Sequence, residues 1–237
     1  MADGCEGHGP PAGPPPVEVP ESRSHLVAEV LAALAYGEKL GAARALEAVG
    51  LATDERSRGE QRHVADRERE NWELIAARLA ELGEAGLMER FRPFFDAFFE
   101  HTEPADWIEA QTFHYLGDAL VSDFADVLVP LMDRVSGEVV RRALGDREAQ
   151  EGFALDELTR ALAADPENAE RIRSYAQRVI GEAFTQTGRA LEATEGMRAL
   201  LGGADGGKRL VLSLLERHRL RLDRLGIEPV EPDLEET

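Results

Sequence analysis

Four short stretches of this chain place chemistry-bearing side chains where apolar ones are expected. In the first, Val27, Leu31, Leu34, Glu38, Gly41, Ala45 and Val49 fall on one helical stripe, and Glu38 is its single charged member. The second is Glu68-Arg69-Glu70-Asn71, in the stripe Val64, Glu68, Asn71, Ile75, Leu79 and Leu82. The third holds Asp118 and, five residues on, Asp123; the fourth is Arg147-Glu148-Ala149-Gln150. A carboxylate on a buried helix face is costly unless a metal, a cation or a hydrogen-bond network receives it. Positions i and i+3 share a helix face, so Glu-x-x-His can present an acid and an imidazole to the same pair of metals. Here an amide, Asn71, follows Glu68 where the imidazole would be.

The competing readings are plain. Glu38 is either an inward site residue or a solvated one on a drifting stripe, and Glu68 with Asn71 is either an inward pair or surface. Arg147 either pairs with the core acids or is exposed. Asp118 and Asp123, five apart, cannot both point into one site, and the family position set out below makes Asp118 the expected inward member. His114 is expected to be capped or half-exposed. His63 completes a literal Glu-x-x-His with Glu60, but that motif begins two turns before Glu68, so a surface position is expected.

These residues need helices to carry them. Ala, Leu, Glu and Arg dominate the 237 residues and β-branched residues are few, so the chain reads as all-α. Residues 1–22 form a Pro/Gly-rich leader, expected to be disordered. A helical bundle occupies 23–201. Its first helix spans Ser24 to Val49, its second Thr53 to Leu82, and a phenylalanine-rich crossover (Phe91, Phe94, Phe95, Phe98, Phe99) occupies Leu87 to Phe99. A third helix runs from Pro104 to Val129, a fourth from Ser136 to Ala164, and a fifth from Asp165-Pro166 to Leu201. The glycine-rich 202–207 reads as a flexible linker, 208–228 as an amphipathic helix packed on the bundle, and 229–237 as an acidic tail. Short, long and short links between the first four helices make two hairpins joined by a crossover.

The net charge is −19, from 46 acids against 27 bases. Such a field repels phosphate backbones and anionic lipid, so nucleic acid is disfavoured as a partner. Cys5 is the lone cysteine, which excludes an intrachain disulfide. No apolar run nears the roughly 20 residues of a membrane span, and no secretory signal is evident. The expected location is the cytoplasm.

With these motifs laid out, the chain resembles the actinobacterial ferritin-like proteins grouped with the tRNA-modifying hydroxylase (MiaE-like) branch of the ferritin-like superfamily. The resemblance covers about Leu26 to Glu228. It rests on Leu34-Ala35-Tyr36-Gly37-Glu38, Arg78 to Gly83, Pro104-Ala105-Asp106-Trp107, Tyr115-Leu116-Gly117-Asp118 with Asp123-Phe124, Gly181-Glu182-Ala183, and Glu216-Arg217-His218 to Leu225-Gly226. It implies a ferritin-like four-helix bundle with additional C-terminal helices, a di-iron site and, in the hydroxylase itself, oxidation of a modified tRNA base. Carried over by position, Glu38, Glu68 and Asp118 match metal ligands, Asn71 and Gln150 occupy the histidine places, and Arg147 occupies the place of an acid.

The expectation is therefore a degenerate polar cluster of Glu38, Glu68, Asn71, Asp118, Arg147 and Gln150, with the Arg147 guanidinium in place of metal and no cofactor. One arginine against three acids requires at least one carboxyl to be protonated or wet. Such a protein acts by binding a small molecule or a protein, and the crossover and last helix offer a surface for a homodimer. The alternative is a non-haem iron oxygenase that keeps Glu38, Glu68 and Asp118 as an altered ligand set.

Overall fold

The computed structural model describes residues 23–145 and 147–228, and among them there is helix and no strand. The expected leader (1–22) and acidic tail (229–237) lie outside the described residues.

Helix α1 (Arg23–Ala48) is the central element. Every residue from Val27 to Tyr36 is buried, a wider buried surface than the single stripe expected. A helix without a polar face is covered on all sides, and α1 is packed by α2 (Glu55–Glu81), α3 (Met88–His101), α5 (Asp118–Leu128) and α9 (Glu195–Leu201). A single 3₁₀ turn, Val49–Leu51, and the Asp54 cap on the Ser57 amide (2.7 Å) start α2 antiparallel to α1. The α2 sequence is polar almost throughout. Its buried positions nevertheless keep helical period: Ser57, Gln61, Val64 and Ala65, Glu68, Asn71, Ile75 and Leu79. The polar members lie toward the start and the apolar ones toward the end.

The phenylalanine-rich crossover is itself helical, as α3, and lies on α1 and α8 (Asn168–Ala193). Gly37 lets it come close, since a Cβ there would sit 2.9 Å from the Phe95 ring. Phe91 is fully buried, and its four companions are half-buried rather than exposed.

Three expected helices are interrupted, and the interruptions matter for the site. The third begins at Trp107, capped by Asp106, as α4 (Trp107–Thr112), passes through a π-helical segment at Phe113–Gly117 and continues as α5. The fourth breaks into α6 (Arg134–Leu144) and α7 (Arg147–Ala164). At the break, a Cβ on Gly145 would lie 2.7 Å from the Arg141 carbonyl oxygen, so glycine permits the tight turn. The fifth divides at Thr194 into α8 and α9, and the Thr194 hydroxyl bonds the Ala190 carbonyl (2.6 Å).

The expected linker at 202–207 is much shorter than its composition implies. Gly202 and Gly203 take positive φ (82° and 78°), and α10 (Ala204–Arg224) starts at once, with Gly206 and Gly207 inside it. Helices α1, α2, α4–α5 and α6–α7 form a ferritin-like four-helix core, and α8 to α10 pack around it.

Candidate functional site

The inner face of α1 delivers Glu38 to the bundle axis, where it is 1% exposed. Glu68 arrives from α2, also 1% exposed, and its Oε2 lies where Gly41 leaves room; a Cβ there would be 3.3 Å away. The helix break at Gly145 sets Arg147 in the first turn of α7, and its side chain enters between the two acids. Its Nη2 donates to Glu38 Oε1, its Nη1 lies 3.6 Å from Glu68 Oε1, and the same Nη1 donates to the Asp118 carbonyl oxygen (3.1 Å). Asn71, buried one turn beyond Glu68, favours the charged form of Glu38 through its amide.

Burial raises the Glu38 pKa, against the attraction of Arg147. It raises that of Glu68 further, because the Glu38 charge adds to desolvation there. The guanidinium itself is held more firmly in its charged form by Glu38, Glu68 and Asp118. Two carboxyls around one fixed cation settle as one carboxylate and one neutral acid. The pair therefore holds one proton between its two carboxyls, with Arg147 as the fixed cation beside them. Glu38 Oε2, Glu68 Oε1 and Arg147 Nε nevertheless lack hydrogen-bond partners within the fold.

Asp118 is close by but turned differently. Its carboxylate receives His114 Nδ1 (2.7 Å), and only its backbone oxygen meets Arg147. The π segment explains this. The Asp118 amide reaches back five residues to the Phe113 carbonyl, which inserts one residue and rotates the helix beyond it. His114 is then 7% exposed instead of capped or half-exposed. Its other nitrogen faces Gln61 Nε2 (2.9 Å), which donates to the Ala45 carbonyl (3.2 Å), while Gln61 Oε1 accepts from Gln111 Nε2 (2.8 Å). Because Gln61 Nε2 must donate to a carbonyl, His114 Nε2 is the acceptor and the ring proton sits on Nδ1, toward Asp118. Nothing in the sequence singled out Gln61 or Gln111; each is a polar residue at a core position of its helix, which is the signal that finds them.

Gln150 departs from expectation. It is half-buried on the wall of a groove between α2 and α7, with Glu60, His63, Val64, Asp66 and Phe153. His63 is 80% exposed, as expected of a surface residue. Asp123, expected to yield the inward place to Asp118, is the more buried of the two (2% exposed) and belongs to a second cluster. There it accepts from Arg221 Nη1 (2.6 Å) and Nη2 (3.1 Å) and from Arg217 Nη1 (2.9 Å), both on α10. Glu29 is a further acid that the sequence pattern does not single out; it is 1% exposed and meets Arg90 Nη1 at 2.7 Å.

A pair of iron ions does not suit the residues at the bundle axis. The space between Glu38 and Glu68 is taken by a guanidinium that stays charged at any relevant pH, and the third acid is committed to His114. Among the described residues no group of three His, Cys, Asp or Glu side chains is arranged to hold a metal ion.

An all-helical bundle of four core helices, with Glu38 and Glu68 turned to its axis, has a ferritin-like architecture. A family model for the ferritin-like domain of actinomycetes matches residues 22–204, and the chain belongs to that family. No curated protein matches the chain. No described helix is long and apolar enough to cross a membrane.

Proposed function

We propose that this chain is a non-catalytic member of its family, in which an arginine has replaced the metal pair and which acts by binding a ligand or a protein. The observation that carries this reading is the Arg147 side chain, inserted between Glu38 and Glu68 and bonded to the Asp118 backbone. A guanidinium supplies charge and fixed donors but can neither change oxidation state nor activate dioxygen. The residues left over, Asn71 and the outlying Gln150, are oxygen donors suited to hard cations and poor ligands for redox iron. The resemblance to the tRNA-modifying hydroxylase branch bears on ancestry in this reading, and the net charge of −19 disfavours tRNA as a partner.

A competing reading, an iron-dependent hydroxylase with an altered ligand set, draws on the unpartnered oxygens of Glu38 and Glu68 and on the adjacent His114–Asp118 pair. The two are separated by titrating ferrous iron aerobically into protein purified without chelator. The expected result is no stoichiometric iron and no oxo-bridged absorption band. Two irons bound per chain with that band would establish the hydroxylase reading instead.

A further inference from the structure

The phenylalanine run takes no part in the polar cluster, yet it builds a cavity. Phe91, Phe94, Phe95 and Phe98 from α3, with Phe124 from α5 and Phe184 from α8, enclose a space of about 120 Å³. Ala33 and Leu34 of α1, Gly117 of the π segment, Met197 of α9 and Leu214 of α10 complete the wall. No charged side chain lines it; the polar groups are the Gln186 amide and the Thr187 hydroxyl, side by side on α8.

Small residues keep the space from closing. Gly117 has no side chain, and Ala33, Ala183 and Ala190 present only methyl groups. A close-packed interior seldom leaves a void this size. An apolar cavity of about 150 Å³ is known to stay dry and to take up benzene. On α8 the lining residues Ala183 and Ala190 are half-buried. The cavity also lies one turn along α1 from Glu38, since Leu34 is four residues before it, and Gly117 adjoins Asp118.

We infer that this cavity is a binding site for a small uncharged aromatic molecule, one ring in size, carrying at most one hydrogen-bonding group for Gln186 or Thr187. The volume sets the size and the phenylalanine edges set the aromatic preference. The absence of a counter-ion in the wall rejects charge, because a buried unpaired charge is not tolerated. The inference rests on the ligand-binding reading above and names its ligand class, but its test is independent of iron: a protein that bound iron could still hold the aromatic, and the reverse.

The probe is p-cresol, compared with benzoate as a charged analogue of similar size, measured by calorimetry and thermal unfolding on the full chain. Saturable one-to-one binding of p-cresol with a rise in Tm is expected, and no binding of benzoate. Ala183→Phe and Ala190→Phe, which fill the space from half-buried lining positions, should each weaken p-cresol by about tenfold or more while circular dichroism stays unchanged. If either variant fails to fold, nuclear Overhauser contacts in the unaltered protein, from the p-cresol ring to the Met197 and Leu214 methyls, locate the ligand. No saturable binding, equal binding of benzoate, undiminished binding in either folded variant, or p-cresol lacking those contacts would each overturn the assignment.

Discussion

Two buried acid–arginine clusters, built from the same chemistry, adjoin α5 at different residues and end in different electrostatic states. Under α10, Asp123 faces two arginines and both of its oxygens are bonded. Arg217 also reaches Asp126, which is 66% exposed, and Arg221 reaches Glu151. Arg224 adds a third cation at Glu151 (3.4 Å), so charge there is matched, three against three, and partly open to water. At the bundle axis, Glu38 and Glu68 share Arg147, the carboxyl pKa values rise, and three polar atoms remain unpartnered. The outer cluster is an ordinary helix-docking device. The inner one is short of one positive charge, and a proton supplies it.

The contrast is broken most severely by Arg147→Ala, which leaves two buried carboxyls without their cation. Removing one partner of a buried pair costs about 3–5 kcal/mol. Asp123→Ala, by comparison, releases two arginines that each keep another acid (Asp126 for Arg217, Glu151 for Arg221), and a loss of about 2 kcal/mol is expected. Urea unfolding at pH 7 measures both. Equal losses would mean that the axis is as well solvated as the α10 interface.

Much of the inner cluster was legible because its signal is local. A lone acid on the apolar stripe of α1, and an acid with an amide on that of α2, point inward for the same reason their neighbours do. Arg147 was legible from its place in the bundle. Asp118 and Gln150 were only half-legible, because both depend on where a helix is interrupted. One extra residue in the π segment turned the Asp118 carboxylate to His114, and the break at Gly145 restarted α7 so that Gln150 faces a groove. Neither interruption carries a proline, the one residue that would have announced it. Asp123 could not be assigned from its own helix, since its partners come from α10, nearly a hundred residues on. The glycine pairs of 202–207 misled differently: two positive φ values make the whole turn, and the remaining glycines are helical.

Acidity should separate the clusters by sign. Burial, aided by Arg221, lowers the pKa of His218, beside Asp123 on α10, from 6.5 to about 4. A base depressed in the folded state contributes stability that is present above pH 6.5 and is lost as pH falls from 6.5 to about 4. At 1.36 kcal/mol per pH unit this amounts to about 3 kcal/mol. Glu68 runs the other way. Its folded pKa is raised, so its contribution is complete below the ordinary glutamate value and is lost as pH rises through the folded value. His218→Leu should flatten the acid limb of stability against pH, and Glu68→Gln the limb above about pH 5. Denaturant midpoints across roughly pH 4–9 read both, and a Glu68→Gln profile that overlays the parent above about pH 5 would remove the shared proton from the account.

If the inner cluster is retained for something other than stability, replacing it whole should cost nothing. The variant combining Glu38→Leu, Glu68→Leu and Arg147→Met removes both acids and their cation together, and apolar substitution of a buried ionic set is often neutral or stabilising by about 1–4 kcal/mol. An unchanged or raised Tm is expected, with p-cresol still bound because the phenylalanine cavity is left intact. A loss comparable to that of Arg147→Ala would show that the cluster, charge-deficient or not, holds the bundle together.

The smallest effect tests the outer half of the comparison. Asp126 meets Arg217 at 2.8 Å, a distance typical of the α10 cluster, but it stands in water. An exposed ion pair yields about 0–1 kcal/mol, since the side chains give up rotamer freedom and the attraction is screened. Arg217 keeps Asp123 when Asp126 is removed, so the docking of α10 loses no buried bond. Asp126→Ala should therefore shift the unfolding free energy by less than about 0.5 kcal/mol, and by less still in roughly 1 M salt. A larger, salt-resistant loss would place Asp126 among the groups that hold α10, and the outer cluster would then be as tightly coupled as the inner one.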